Sequence, residues 1–273
     1  MALHWPTFIQ RTTSAVVFAI IMMAGILWNQ WSFVSLVLLI EILCLHEYLK
    51  LANKIASIEF SFIQKLIIHI GGLSLPLTMM MLSFGFWNNT LSILFGIMSL
   101  LPILLLLQGA LHPKNQLIQG VWGISGWLYL SLPMMMLLYL YQENHLYPLA
   151  LILMIWTNDT MAYLMGSFFG KTPFNEISPK KTWEGTILGA LMTVIGALVW
   201  AYFSHQISLI DASVFAICAA VAGTAGDLLE SRLKRMAGVK DSGAIMPGHG
   251  GALDRFDSLL VATPFVFFYL LLS

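Results

Sequence analysis

Residues 187–204 read ILGALMTVIGALVWAYFS, a run with no charged side chain and no proline. Wound as an α-helix at about 1.5 Å per residue it measures roughly 27 Å, close to the ~30 Å hydrocarbon thickness of a bilayer. Backbone that crosses lipid must satisfy its own hydrogen bonds, and a helix does so within one segment. Comparable runs lie on both sides, at Thr13–Trp28, Ser32–Tyr48, Leu66–Phe84, Thr90–Leu107, Gly120–Tyr141, Leu146–Gly166, Ser213–Leu229 and Leu253–Leu272. The expected fold is therefore all-α, a polytopic integral membrane protein with about nine transmembrane helices. Composition agrees, with 59% hydrophobic and 10% charged residues and a mean hydropathy of +0.83. The first run is short, so eight spans or a re-entrant segment is the alternative. Its length and the lack of a small-residue cleavage site argue against a removable signal peptide. With no low-complexity linker or long repeat, residues 1–273 read as a single membrane domain. Its hydrophobic N-terminal spans fill 1–145, and 146–273 carries spans and polar loops.

Nine spans sort the basic residues onto one side. Arg11, Lys50, Lys54, Lys65, Lys114, Lys171, Lys180, Lys181, Arg232, Lys234, Arg235, Lys240 and Arg255 are all 13 Lys and Arg of the chain. The opposite loops, Asn29-Gln30, Gly85–Asn89, Gln142–His145 and His205–Ala212, contain none. The positive-inside rule assigns the basic side to the cytoplasm, and the expected location is the inner membrane of a bacterium. A formal net charge of +0 conceals this asymmetry. A basic face at the bilayer attracts anionic lipid headgroups, and no nucleic-acid partner is expected. Cys44 and Cys218 fall inside spans without CxxC or Cys/His spacing, so they read as small buried residues rather than a disulfide or zinc ligands.

Charge returns in residues 226–258, GDLLESRLKRMAGVKDSGAIMPGHGGALDRFDS. Asp227, Glu230, Ser231 and Lys234 stand at i, i+3, i+4 and i+7, one face of one helix. Gly238, Gly243, Pro247, Gly248, Gly250 and Gly251 then break the helix and allow tight turns and close backbone approach to a ligand. A helix resumes near Leu253 and presents Asp254 and Asp257 one turn apart. Ala222–Gly226 are small enough to admit a neighbouring helix beside Asp227. Asp227 and Asp254 could meet at one depth on adjacent helices and bridge a metal ion; salt bridges to Lys234 or Arg255 are the alternative. Hard carboxylate oxygens suit Mg²⁺-type ions, Lys and Arg suit phosphate oxygens, and a glycine-rich turn offers N–H donors. The combination points to phosphate chemistry.

The same residues resemble a family signature: a Ser, then Lys-Arg, Lys-Asp, Pro-x-His-Gly-Gly and Asp-Arg-x-Asp. Here these are Ser231, Lys234, Arg235, Lys240, Asp241, Pro247, His249, Gly250, Gly251, Asp254, Arg255 and Asp257. The chain is similar to the phosphatidate cytidylyltransferases, also called CDP-diacylglycerol synthases. Met246 and Ala252 stand where that family more often has other aliphatic residues, and neither carries chemistry. Asn158-Asp159-Thr160, Tyr163, Gly166, Gly170-Lys171 and Ser178–Gly185 also resemble family blocks, so the likeness covers about the C-terminal half. It implies transfer of a cytidylyl group from CTP to phosphatidic acid, with Mg²⁺ and room for a second cation. Catalytic candidates are Asp227, Lys234, Arg235, Asp241, Asp254 and Asp257, with Asp227 and Asp254 as metal ligands. Substrate-binding candidates are Asn158, Asp159, Lys180, Lys181, Ser231, Lys240, His249, Gly250, Gly251 and Arg255. The alternatives are a CTP-dependent lipid kinase, a cytidylyltransferase for another lipid phosphate, or, from another class, an ion transporter or channel. Against transport, no inverted repeat with paired broken helices is evident.

In Ser178-Pro179-Lys180-Lys181, Ser suits an N-cap and Pro suits N1, so the spacing predicts a helix start there. Lysines in a first turn oppose the helix dipole unless an anion binds, so the pair reads as a phosphate site, with topological anchoring as the alternative. Residues 166–172, GSFFGKT, fall one residue short of a P-loop and follow a helix, so Gly166 and Gly170 read as helix-packing positions. Asn158-Asp159 inside an apolar run is a site candidate, with interhelical hydrogen bonding as the alternative. Glu41 and Glu47 read as helix-packing or interface residues, and His249 as a donor shaping a turn. Glycine-containing helix faces suit a homodimer.

Overall fold

A computed structural model describes residues 5–83, 89–111, 114–245 and 250–273. The elements are α1 (Trp5–Leu27), α2 (Gln30–Ala56), α3 (Phe62–Ser83), α4 (Asn89–Met98), α5 (Leu101–Ala110), α6 (Lys114–Gly126), a π-helical turn (Trp127–Ser131), α7 (Leu132–Glu143), α8 (Tyr147–Phe169), α9 (Trp183–Ser204), α10 (Leu209–Met236) and α11 (Leu253–Leu272). Among the described residues there is no named strand, only an isolated antiparallel bridge between Pro173 and Thr182. Eight helical stretches are long and apolar enough to cross a membrane, and Thr12–Leu27 is a shorter apolar one. That matches the expectation of about nine. α4 and α5 together form one of the eight, and α6, the π turn and α7 another.

Helix ends follow local chemistry. Asn29 caps α2 by accepting from the amides of Trp31 and Ser32 at 2.8 and 2.9 Å, and Ser32 Oγ accepts the Asn29 amide at 3.0 Å. Satisfying otherwise orphaned donors in this way fixes the helix start. α10 has 28 residues, roughly 42 Å at about 1.5 Å per residue, so two or more turns extend past a ~30 Å hydrocarbon layer.

The chain divides into two compact units, residues 1–142 with 236–255, and residues 143–235 with 256–273. In the first, Phe33, Leu45, Ile68, Leu130, Met134, Leu137 and Leu138 form a fully buried core. Tyr48 lies within it, near Trp122 and Tyr129, and shares a 2.7 Å hydrogen bond with Ser125. In the second unit α8 and α9 run against each other at small residues. A Cβ on Gly189 would lie 2.7 Å from the Ala162 amide nitrogen, and one on Gly185 would lie 2.7 Å from Gly166 Cα. On α9, Ile187, Leu191, Ile195, Val199 and Tyr202 are exposed at three- and four-residue steps, an apolar stripe suited to lipid.

Candidate active site

In the second unit, the segment between α8 and α9 is a short structured loop. The amide of Trp183 donates to Thr172 O at 3.0 Å, that of Phe174 to Lys181 O at 2.8 Å, and that of Lys181 to Ser178 O at 3.0 Å. The helix does not start at Ser178. Thr182 is the N-cap, its hydroxyl accepting from the Gly185 amide at 3.2 Å. Ser178–Lys181 is instead a turn tied back onto residues 172–174, and those hydrogen bonds hold it out of the helix. Glu184, in the first turn of α9, accepts from the Lys171 amide at 3.1 Å and the Thr172 hydroxyl at 2.8 Å. The loop is thereby anchored to the helix it precedes. Lys180 and Lys181 project from the anchored turn rather than from a helical first turn.

α10 and α11 supply carboxylates. Asp227, Glu230, Ser231 and Lys234 share one face, as their spacing requires. Ser231 Oγ donates to Asp227 Oδ1 at 3.3 Å, and Lys234 pairs with Glu230. Gly226 lets α11 approach, since a Cβ there would sit 2.4 Å from the backbone oxygen of Asp257. Ligand atoms of Asp227, Glu230 and Asp257 consequently all lie within 4.8 Å of one another. Glu230 and Asp257 are 0% and 8% exposed. Lys181 forms an ion pair with Asp227, which joins the anchored turn to the carboxylate group. Three carboxylates thus meet Lys181 and Lys234, an all-oxygen donor set that could hold a hard cation.

A cavity of about 380 Å³ opens beside this group, within the 300–1,000 Å³ range of small-molecule sites. Asn158 and Asp159 of α8, Lys180, Lys181 and Thr182 of the turn, and Thr224 and Asp227 of α10 line it. Asn158 is 3% exposed, and its Oδ1 accepts no hydrogen bond among the described residues. A buried acceptor without a partner in a cavity wall is costly unless a ligand or water supplies a donor.

Arg235 and Arg232 are exposed near the end of α10 and line a separate opening with Asn175 and Glu176. In the first unit, Lys240, Asp241 and Arg255 are exposed, and Gly250 has φ +85°, a conformation that favours glycine. Asp254 Oδ2 lies 2.7 Å from the Gly251 amide, 2.9 Å from the Ser242 amide and 3.0 Å from the Ser242 hydroxyl. Its carboxylate ties Ser242 to Gly251. His249 and Pro247 lie outside the described residues. Glu230 completes the carboxylate group but was passed over as a ligand, although its i, i+3 spacing from Asp227 was the signal. Glu47 does not merely pack a helix. Its carboxylate, 1% exposed, accepts from Ser242 Oγ at 2.7 Å, the Leu253 amide at 2.9 Å and the Ala252 amide at 3.1 Å. A charged residue inside an apolar span was its only sequence signal.

Residues 9–273 match the profile of the Cytidylyltransferase family. The chain belongs to that family. Among individual relatives, chloroplastic phosphatidate cytidylyltransferase 4 of Arabidopsis thaliana is 50% identical over 103 residues, 37% of this chain and 26% of that protein. A phosphatidate cytidylyltransferase of Synechocystis is 43% identical over 124 residues, 43% of this chain and 41% of that protein. One of Bacillus subtilis is 44% identical over 120 residues, 43% and 45% of the two chains. The chain thus matches less than half the length of each of these relatives.

Proposed function

We propose that this protein transfers the cytidylyl group of CTP to phosphatidic acid, giving CDP-diacylglycerol and pyrophosphate. One observation carries the reading: a lysine-lined cavity adjoins the Asp227–Glu230–Asp257 group at the end of a membrane-spanning helix. Family membership and the names of the relatives support it. In the reaction a phosphatidate oxygen attacks the α-phosphorus of CTP, the new P–O bond forms, and the bond to the β-phosphate oxygen breaks. Both reactants are anions and repel. Lys180 and Lys181 offset that repulsion and hold phosphate oxygens in line for displacement, which is where positioning lowers the barrier. Asn158 and Asp159 also line the cavity and can hydrogen-bond a polar ligand. The glycine-rich loop, with Lys240, Asp241, Gly250, Gly251, Asp254 and Arg255, and Lys234 and Arg235 on α10, remain proposed contributors to phosphate handling.

The carboxylate group fits a hard divalent cation, because its donors are all oxygens and lie close together. Asp227 and Asp257, with Glu230 beside them, would hold magnesium; Asp254, with the Ser242 and Gly251 amides at one oxygen, is the alternative ligand proposed with Asp227. A bound magnesium would neutralise phosphoryl oxygens and stabilise charge on the departing pyrophosphate. The basic loops are proposed to face the cytoplasm of a bacterial inner membrane. Within the second unit, the 3.4 Å hydrogen bond from Asn144 Nδ2 to Gln206 O joins the two loops that lack basic residues.

Purified protein given CTP labelled at the α-phosphate and phosphatidic acid in mixed micelles tests the reading. Label should enter the lipid with an equal yield of pyrophosphate. Label recovered only in CDP, with a newly phosphorylated lipid, would instead establish a lipid kinase.

A further inference from the structure

Glu47 sits on α2, some two hundred residues before the motif it touches, in the half of the sequence where the family likeness was not evident. Two of its three donors, the amides of Ala252 and Leu253, belong to the start of α11, where helical N–H groups lack intrahelical acceptors. An anion there also opposes the positive end of the helix dipole. The third donor, Ser242 Oγ, lies 2.7 Å from Glu47 Oε2 and 3.0 Å from Asp254 Oδ2. This hydroxyl lies between the two carboxylates, and its single proton serves one at a time, Glu47 being the nearer.

The neighbouring glycines are shaped to this carboxylate. A Cβ on Gly243 would stand 2.1 Å from Glu47 Oε1, and one on Gly251 2.2 Å from Oε2. Neither position has a φ in the left-handed region, so conformational freedom does not explain the lack of a side chain. The carboxylate occupies the space. With three donors fixing it, it cannot move aside without giving up hydrogen bonds in a buried setting.

We infer that Glu47 is the positioning residue of the glycine-rich motif. It fixes Ser242 against Ala252, Leu253 and the first turn of α11, and with them the orientation of Asp254 and Arg255. The role in turnover rests on the proposed cytidylyl transfer; the role in ordering the loop does not.

Two measurements test it on the full-length protein in detergent. The first is kcat/KM for Glu47→Gln, Glu47→Ala, Gly243→Ala and the Glu47→Ala/Gly243→Ala double variant. Glu47→Gln keeps the size but replaces one acceptor oxygen with a donor that faces N–H or O–H groups, and should lose on the order of 10- to 100-fold, as supporting residues of a site do. Gly243→Ala should be damaging beside Glu47 but add little in the Glu47→Ala background, where the obstructing carboxylate is gone. The second is amide hydrogen exchange. Gly251, Ala252 and Leu253 should exchange faster in Glu47→Gln while the amides of α3 and α7 keep the parent's protection, a pattern that general destabilisation does not produce. Parent-like exchange at those three amides overturns the inference, as does a Gly243→Ala loss of equal size in both backgrounds. If the parent shows no cytidylyl transfer, the proposed function fails, and the exchange result still decides whether Glu47 orders the loop.

Discussion

Gly226→Ala should cripple the proposed cytidylyl transfer while Gly223→Ala leaves it intact, although the two glycines lie one turn apart on the same helix. Each substitution adds one methyl and, as Gly→Ala within a helix, gains roughly 0.8–1 kcal/mol of intrinsic propensity. They differ in what the methyl meets. At Gly223 the nearest atom is Ser258 Cβ at 3.4 Å, an ordinary contact. At Gly226 it is the Asp257 backbone oxygen at 2.4 Å, with the Asp257 carbonyl carbon at 3.1 Å. Backbone cannot rotate away as a side-chain tip can. Restoring a separation near 3.5 Å requires α11 to withdraw by roughly 1 Å. Overpacking of this kind costs about 1–3 kcal/mol, so the net change in stability is at most about 2 kcal/mol and the protein still folds. The functional cost is larger, because the displaced residue is Asp257, one of the three carboxylates, and a 1 Å misplacement near the chemistry is worth about 10²-fold. Steady-state turnover of both variants across a magnesium titration, with thermal unfolding in the same detergent, measures the two effects separately. Gly226→Ala should show kcat/KM down about 10²-fold and a raised magnesium requirement, and Gly223→Ala should stay within about twofold of the parent. A folded Gly226→Ala variant with parent-like magnesium dependence would refute the proposed metal role of Asp257.

Asp227→Asn and Asp257→Asn keep shape but remove charge, and each should lower kcat by at least about 10²-fold; near-parental rates in a folded Asp227→Asn variant would remove the carboxylate site from consideration. Lys181→Gln breaks the pair with Asp227. At about 1.5–3 kcal/mol for a charged hydrogen bond, it should cost on the order of 10- to 100-fold in kcat/KM, with Arg restoring part, and a change under twofold would leave only an anchoring role. In a Cys-free background, single cysteines at Lys54, Lys181 and Lys240 should react with an impermeant reagent from the cytoplasmic side and those at Asn144 and His205 from the other; labelling of 205 and 240 from one side would overturn the topology.

Spans were legible because hydrophobic length is a property of a single segment. Ile187–Ser204 needs no partner to announce itself, and the observed α9 differs from it by four residues at the start. That start was misplaced at Ser178 for an identifiable reason. Ser-Pro is a good opening for a helix, but here the Lys181 carbonyl accepts from Phe174 and the Thr172 carbonyl from Trp183. These hydrogen bonds hold the turn apart, and no local rule contains them. The Asp227–Lys234 face was legible too, since helical periodicity sets which side chains align. Which carboxylate adjoins Asp227 was not: local pattern puts Asp254 and Asp257 one turn apart on one helix, and the sequence points to Asp254 as the metal ligand beside Asp227. In the structure, Asp257 comes to Asp227 through the missing side chain of Gly226, and Asp254 is engaged by Ser242 and Gly251.

Glu47 shows the same limit from the opposite direction. An isolated Glu in an apolar helix is chemically conspicuous, yet one sequence cannot say which distant amides it will meet. The glycines it needs, 243 and 251, look from sequence like turn formers or a phosphate cradle, and their pattern would be the same for either purpose. The backbone angles separate the readings. Gly250 has a positive φ, whereas Gly243 and Gly251 do not, and in place of side chains they meet the Glu47 carboxylate. One glycine therefore turns the chain and the other two admit an anion that belongs to the protein itself. Amides already taken by Glu47 are not available to a substrate phosphate. In the proposed reading Lys180 and Lys181 supply phosphate contacts that the Ala252 and Leu253 amides do not, so their replacement is expected to be felt in kcat/KM.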